Sequence, residues 1–425
     1  MTAIHIVTQG CSSNQADSEF MAGLLSDAGF SLTDNPAKAD AIIINTCTVK
    51  APTESRFYHM LETYGQYRAS IIVTGCIPQT TPEKVDGYSM VGTTQIQNIV
   101  EVVEETLNGT MISSLVPEKV DKLTLPKIRK NEIIEIVPIA EGCKGKCTYC
   151  IVKRARGELH SYKPETIQRH VRKAVRDGAR EIWLTAQDTG CYGLDIDTDL
   201  TSLIKPLLTL NAPFRIRIGM MNPNHFMRMH EDIMGLFESK KLFRFLHLPV
   251  QSGNDEVLSR MGRQYTAQDF IDAVKIIRDM VPDMTISTDV ICGFPGETDE
   301  QFRDTVRLIE KTRPDVLNIS RYWDRPKTPS KDMHDKVPPE TAKERVRYVT
   351  QVYDWGAYQN NKRWKGWEGY ILIDEAGKDE TSIGRNRSYK QVIVKGIYRP
   401  GTWLHVRVTD ITTHDLRADV IGKKA

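Results

Sequence analysis

Cys143, Cys147 and Cys150 form a C-x3-C-x2-C run directly after a strand-like apolar stretch at residues 133–139. Three thiolates on one tight loop can hold three irons of a cubane 4Fe-4S cluster and leave the fourth iron without a protein ligand, free to bind something else. An open iron implies chemistry rather than a structural staple. A structural zinc site would want a fourth nearby Cys or His in paired C-x2-C spacing, and the sequence holds no second pair of that kind. Zinc and three unrelated thiols remain as the alternatives.

Of the eight cysteines, three more fall in the first eighty residues, and each closes an apolar run: residues 4–7 lead to Cys11, 41–44 to Cys47 and 71–73 to Cys76. Short β-branched runs separated by helix-like segments read as parallel strands, whose carboxyl ends lie along one sheet edge. Three thiols then converge and can ligate a second cluster, again with an open iron. The competing reading is that they are buried small hydrophobes. Cys191 and Cys292 fit neither set and read as that.

The elements that must position these residues form three units. Residues 1–112 alternate strands and helices, with a helix expected over 17–28. Residues 119–130, with Pro126 and five basic residues, read as a linker. From 131 to 361 a strand-then-helix pattern recurs, with strands expected at 133–139, 181–185, 214–218, 243–248, 285–291 and 316–320 and helices such as 164–177 and 267–280 between them. Six parallel strands with crossover helices make a partial or complete TIM-like β/α barrel, whose reactive groups belong at the carboxyl ends of the strands. After a helical connector at 340–364, residues 362–425 change to short strands, clearest at 369–373, 391–394 and 403–409, and read as a small antiparallel β-barrel. The fold class is therefore α/β with a β-barrel appended.

At 425 residues the chain has ample length for several cores. No stretch approaches the run of about 20 apolar residues that spans a bilayer, and the N-terminus lacks signal-peptide architecture. We therefore expect a cytoplasmic protein without a membrane partner, whose cysteines serve as ligands rather than disulfides. Net charge is only +2, but residues 362–425 hold 13 Lys and Arg against 8 Asp and Glu. The basic bias is C-terminal.

These motifs carry a resemblance. The cysteine loop, Trp183-Leu184-Thr185-Ala186-Gln187-Asp188 and Val290-Ile291-Cys292-Gly293-Phe294-Pro295-Gly296-Glu297 resemble the radical S-adenosylmethionine superfamily. Gln9-Gly10-Cys11-Ser12-Ser13-Asn14, Asn45-Thr46-Cys47 and Thr74-Gly75-Cys76 narrow this to the methylthiotransferases. Glu141-Gly142-Cys143 leading to Ala155-Arg156-Gly157, and Gly384-Arg385-Asn386-Arg387-Ser388-Tyr389-Lys390, are most similar to the archaeal and eukaryotic branch. That branch adds a methylthio group to C2 of N6-threonylcarbamoyladenosine beside the anticodon of tRNA. The chain stops at Lys423-Lys424-Ala425, without the hydrophobic C-terminal anchor of eukaryotic members, and a soluble archaeal form is the expectation.

The resemblance implies two 4Fe-4S clusters and S-adenosylmethionine as cofactors, with tRNA, an electron donor such as ferredoxin or flavodoxin, and a sulfur source as partners. Cys143, Cys147 and Cys150 would hold the cofactor-cleaving cluster, and Cys11, Cys47 and Cys76 the sulfur-carrying one. Gly145 would permit the tight loop and Tyr149 would pack against the adenine. Gln187, Asp188, Gln251, Ser252, Asp289 and Gly293 stand at strand ends where the cofactor is met; ordinary polar capping is the alternative for Gln187, Asp188 and Gln251. Arg215 and Arg217 alternate onto one strand face, where they contact substrate phosphate or form salt bridges. The C-terminal unit is similar to the TRAM domain, with Arg385, Arg387, Lys390 and Lys395 beside Tyr389, Tyr398 and Trp403 for RNA binding. Lys153, Arg154 and Arg156 form a second basic strip that would steer an anticodon loop. A relative that modifies an aspartate of a ribosomal protein, and a non-catalytic iron-sulfur RNA-binding protein, are the competing readings.

Overall fold

The computed structural model describes residues 1–48 and 51–423; the terminal Lys424 and Ala425 of the expected C-terminus lie outside the described residues. The N-terminal unit is a six-stranded parallel sheet, in which Ala3–Thr8 pairs with Ser31–Leu32 and Ala41–Thr46, and the sheet continues through Ser70–Gly75, Ser89–Gly92 and Ser113–Ser114. The three apolar runs are its central strands. The other three strands are short and rich in Ser, so they carry no apolar run to announce them. Helix Ser12–Asp27 starts five residues before the expected position, directly after Cys11. It buries Ala16, Phe20 and Met21 against the sheet.

Residues 119–130 are not a free linker. The chain runs along that helix, with the Ile128 amide donating to the Glu19 carbonyl at 3.0 Å. Lys122 is 1 % exposed and is paired with Asp17 and Glu141. Lys127 joins Glu19 to Glu135. Buried cations need such partners, so this segment fastens the N-terminal sheet to the barrel.

The barrel strands are Ile134–Pro138, Glu181–Thr185, Arg215–Ile218, Phe245–His247, Thr285–Cys292 and Val316–Arg321. They run parallel in chain order as two three-stranded sheets, joined by a parallel bridge between Ile216 and Leu242. The first and last strands do not pair, so the barrel is open. All six lie within two residues of their expected bounds, because each carries apolar residues in a short run between helical segments. Helices Pro164–Arg176 and Ala267–Met280 cover it, and Pro339–Asn361 leads out of it.

The C-terminal unit is a closed barrel of Glu368–Ala376, Thr381–Arg385, Gln391–Lys395, Trp403–Ile411 and Leu416–Lys423 around Ile371, Val392, Leu404 and Val406. It is not wholly antiparallel, since Gln391–Lys395 and Leu416–Lys423 pair in parallel.

This small barrel docks through two of the cations expected to meet RNA. Arg387 donates to the carbonyls of Phe237, Glu238 and Ser239, and Arg385 to Asp374 at 2.9 Å. Lys390, 7 % exposed, bonds Asp315 at 2.9 Å. Arg387 and Lys390 are therefore corrected from phosphate contacts to interface residues, and Arg385 to an ion pair within the small barrel. Of the four expected RNA contacts, Lys395 is exposed. Arg215 and Arg217 belong to the same interface: Arg215 lies over Phe243 and Trp403, and Arg217 over Trp183, Phe245 and Tyr389. Neither forms a salt bridge among the described residues, and Glu181 is the carboxylate whose charge reaches both. Burial, with Arg387 nearby, pushes Arg215 down to about 10.

Burial alone would raise the Asp315 carboxyl, but Lys390 and then Arg363 hold it below its usual range. Its folded value thus lies below the unfolded one, so the pair stabilises above the ordinary Asp value, and this is lost as pH falls through the folded value. Lys390→Met is expected to cost about 3 kcal/mol at neutral pH, the low end for a broken buried pair because Arg363 remains. Urea unfolding across pH should show that deficit shrinking in acid; a deficit constant with pH would show that Asp315 is not the partner that matters.

Candidate active site at the joined sheet edges

The first strand of the barrel delivers the chain to the cysteine loop at its carboxyl end. The loop is held from outside: the Thr148 amide donates to the Met261 carbonyl at 3.0 Å, and its hydroxyl to the Arg260 carbonyl at 2.8 Å. The Gly145 amide donates to Cys143 Sγ at 3.2 Å, and a Cβ at Gly145 would stand 3.2 Å from that sulfur and 3.7 Å from Cys147 Sγ. The loop closes because residue 145 has no side chain. Arg263 Nη1 donates to Cys147 Sγ at 2.9 Å and to the Tyr149 hydroxyl at 3.4 Å. Burial, and then Cys147, push the Cys150 thiol up to about 11. A hydrogen bond with Cys191 draws Cys143 down to about 7 and raises Cys191. Cys191 is buried as expected, but it also faces a candidate ligand.

The N-terminal triad meets at the matching edge of its own sheet. Gly10 takes φ +112°, and a Cβ there would lie 2.6 Å from Cys47 Cβ and 3.0 Å from its Sγ, so glycine lets the chain turn hard against Cys47. Asn14 Oδ1 sits 3.7 Å from Cys11 Sγ and 3.9 Å from Cys76 Sγ. Cys47 and Cys76 are 4 % and 3 % exposed, while Cys11 is exposed. Burial pushes the Cys76 thiol up to about 12 against the opposing charge of Arg156.

The two edges face each other. Ser12 Oγ lies 2.7 Å from Thr185 Oγ1, and Gln187 Nε2 donates to Ser13 Oγ at 3.3 Å. Below that seam, Arg156 binds Asp17 at 2.7 Å, Asn14 Oδ1 at 2.9 Å and Glu141 at 3.3 Å. Arg156 is 3 % exposed, which corrects its place in a basic strip that steers RNA. Arg154 is exposed, and Lys153 pairs with Glu158 at 2.9 Å.

Among the described residues no group of three His, Cys, Asp or Glu closes around a single metal ion. A four-iron cluster is a larger body and needs an open set. Both triads fit one in their donor chemistry: three thiols each, with a cationic donor beside them, Arg263 at one and Arg156 at the other. Opposing positive charge favours the thiolate that iron requires.

A cavity of about 360 Å³ opens beside Cys150, lined among others by Tyr149, Gln251, Asp289, Asn318, Arg321 and Arg325. Tyr149 backs it with its ring edge-on to Phe294 at 6.3 Å. Gln251 lines it with φ +70°. Asp289 is fixed by His247 Nε2 at 3.0 Å and Asn318 Nδ2 at 2.7 Å.

Other expected cofactor contacts are engaged elsewhere. Asp188 accepts from the Gly190 amide at 3.0 Å, the Asn222 amide at 3.2 Å and Asn222 Nδ2 at 2.6 Å, so it caps the turn after its strand. Ser252, fully buried, faces Thr305 at 3.3 Å, on the helix behind the cavity. Gly293 takes φ +79°, and the atom a Cβ would strike at 2.7 Å is Ala342 Cβ of the connector helix. Its lack of a side chain lets the connector helix pack close. Arg263 was missed because nothing local marks it, 116 residues from Cys147. Asn318 and Arg321 were missed although they end a barrel strand, where the strand-end rule points.

Three family profiles match: the Radical SAM superfamily over residues 137–309, Uncharacterized protein family UPF0004 over 3–92 and the TRAM domain over 365–421. Fold and cysteine sites thus define a radical S-adenosylmethionine protein with a second cysteine domain and a TRAM barrel. Among solved structures, a radical S-adenosylmethionine methyltransferase from Kitasatospora setae shares the fold, with a TM-score of 0.57 at 15 % identity, covering 78 % of this chain and 74 % of that one. A probable threonylcarbamoyladenosine tRNA methylthiotransferase of Pyrococcus horikoshii is 38 % identical over 99 % of this chain and all of its own length. The Xenopus laevis threonylcarbamoyladenosine tRNA methylthiotransferase is 38 % identical over 98 % of this chain and 77 % of its own length, and the Homo sapiens one 38 % over 92 % and 69 %. The chain belongs to the threonylcarbamoyladenosine tRNA methylthiotransferase family.

Proposed function

We propose that this protein is a tRNA-modifying transferase that replaces the C2 hydrogen of N6-threonylcarbamoyladenosine, beside the anticodon, with a methylthio group. The observation that carries the reading is the pair of cysteine triads on facing sheet edges, joined at Ser12–Thr185 and Ser13–Gln187. When bound, a 4Fe-4S cluster with S-adenosylmethionine supplies the one-electron chemistry that removes an unactivated aromatic hydrogen, and a second 4Fe-4S cluster supplies the sulfur.

The chain's own residues do the rest. Cys143, Cys147 and Cys150 hold the first cluster, with Arg263 steadying Cys147. Cys11, Cys47 and Cys76 hold the second, with Asn14 set between two of them. Tyr149, Gln251 and Asp289 line the cavity beside the cluster loop. The RNA approaches across the C-terminal barrel, where Tyr370 and His405 stack 4.9 Å apart on neighbouring strands and Tyr370 and Lys395 are exposed; loop bases that can be splayed out suit such a surface. A ferredoxin- or flavodoxin-type electron donor and a sulfur source complete the reaction, which belongs in the cytoplasm with tRNA. No described helix is long and apolar enough to cross a membrane.

The test offers the reconstituted enzyme three substrates together: tRNA bearing N6-threonylcarbamoyladenosine, tRNA bearing N6-isopentenyladenosine, and a ribosomal protein with an exposed candidate aspartate. Mass spectrometry should find methylthiolation on the first. Product confined to the protein would overturn the RNA reading, and preference for the isopentenyl tRNA would keep the chemistry while refuting the substrate.

A further inference from the structure

The cavity beside Cys150 has one wall that the chemistry above leaves unexplained. Arg321, at the end of the last barrel strand, lines that wall half-buried. Its guanidinium lies over the Trp323 ring at 4.4 Å. Among the described residues it has neither a hydrogen-bond nor an ion-pair partner. The acidic side chains nearby are engaged by other partners. Glu54 is taken by Arg325 Nη1 at 2.9 Å and by Lys84. Asp324 is taken by Lys336 at 2.6 Å. Asp289 is taken by His247 and Asn318. Four residues beyond Arg321 stands Arg325, 5 % exposed, whose Nη2 is buried with no hydrogen-bond partner among the described residues.

Of the two guanidinium groups that line the cavity, only Arg325 has an ion-pair partner among the described residues, so Arg321 presents an unpaired positive charge that an anionic ligand can meet. Stacking on Trp323 occupies the face of Arg321 and leaves its N–H edge available, the geometry that receives a carboxylate with two parallel hydrogen bonds. A neutral apolar group at that wall would leave the guanidinium partly desolvated and unpaired, which is costly. The wall is therefore built for an anion.

We propose that Arg321, backed by Arg325, receives the free carboxylate of the threonylcarbamoyl group and thereby selects that adenosine over one bearing a neutral alkyl group. This rests on the activity proposed above. Arg321 and Arg325 line the same cavity as Tyr149 and Cys150, so a purine whose N6 substituent is held at Arg321 lies in the cavity that the cluster loop borders. Selection by a group built to pair with a substrate charge is sharper than selection by apolar fit, because the wrong substrate leaves the protein's own polar group unpaired.

The experiment uses the reconstituted full chain and anticodon stem-loop RNAs carrying N6-threonylcarbamoyladenosine, its methyl ester, or N6-isopentenyladenosine. Wild type is expected to favour the acid over the ester by roughly 10- to 100-fold in kcat/KM, as for a lost charge-assisted pair. Arg321→Gln should erase that preference by losing rate on the acid alone, and Arg321→Lys should restore part of it. RNA-free release of 5′-deoxyadenosine reports the KM for the cofactor, which carries a carboxylate of its own. An acid-over-ester preference that persists in Arg321→Gln overturns the proposal. So does a loss explained by a matching rise in cofactor KM, which would assign Arg321 to the cofactor. A wild type that leaves the acid RNA unmodified would refute the activity itself, a result distinct from either.

Discussion

Cys76→Ala is expected to abolish methylthiolation while leaving reductive release of 5′-deoxyadenosine, and to lower the iron content from about eight to about four per chain. The expectation follows from where the thiols stand. Cys76 belongs to the set gathered around Asn14, with Cys11 Sγ 3.7 Å from the same oxygen, whereas cofactor cleavage is assigned to the loop that Arg263 and Thr148 hold on the barrel. Cys147→Ala should lose the other half of the iron and all cofactor cleavage. Iron analysis with chromatographic assay of 5′-deoxyadenosine checks both. Full iron retained by both variants would sink the two-cluster assignment. Cofactor cleavage abolished in Cys76→Ala as completely as in Cys147→Ala would sink the division of labour.

Those two triads were legible in the sequence because their physics is local. A thiol that closes an apolar run stands at a strand end, and parallel strands put their ends on one edge. The same logic located all six barrel strands, each of which carries apolar residues at buried positions. It failed for cations. Lys153, Arg154 and Arg156 look alike in a row, yet the five-residue helix they share turns Arg154 to solvent and Arg156 onto Asp17 and Asn14. Arg385, Arg387 and Lys390 look like an RNA-binding stripe, yet their partners Asp374, the carbonyls after Phe237, and Asp315 lie up to 150 residues away. No composition rule separates a basic residue awaiting phosphate from one committed to a distant acid.

Gly293 is a related case. Its positive φ was foreseeable as glycine behaviour, but what it accommodates is Ala342 on a helix whose docking no local pattern reports. Arg263 was invisible as a site residue because it acts through Cys147, 116 residues away, whereas Arg321 stood where the strand-end rule points.

Arg156→Ala is expected to destabilise the cluster-free protein by about 3 to 5 kcal/mol, the cost of removing one member of a buried charge set. Arg156 and Lys122 neutralise Asp17 and Glu141 in a pocket where the four side chains are 1 %, 1 %, 3 % and 11 % exposed. Without Arg156, one cation faces two carboxylates out of reach of water. The set spans both units: Asp17 is on the N-terminal helix, Glu141 and Arg156 flank the barrel's cysteine loop, and Lys122 lies on the connecting segment. Loss of the set should therefore loosen the seam before either core melts. Calorimetry should resolve two transitions in place of one, and limited proteolysis should cut first near residues 119–130. Arg156 also holds Asn14 at 2.9 Å, so reconstituted Arg156→Ala should lose iron from the N-terminal triad ahead of the Cys143 loop, while Arg156→Lys keeps part of both properties. A melting curve displaced by less than about 1 kcal/mol, with both clusters retained, would show that the seam is held by Ser12, Ser13 and the apolar contacts instead, since a buried pair broken on one side cannot cost so little.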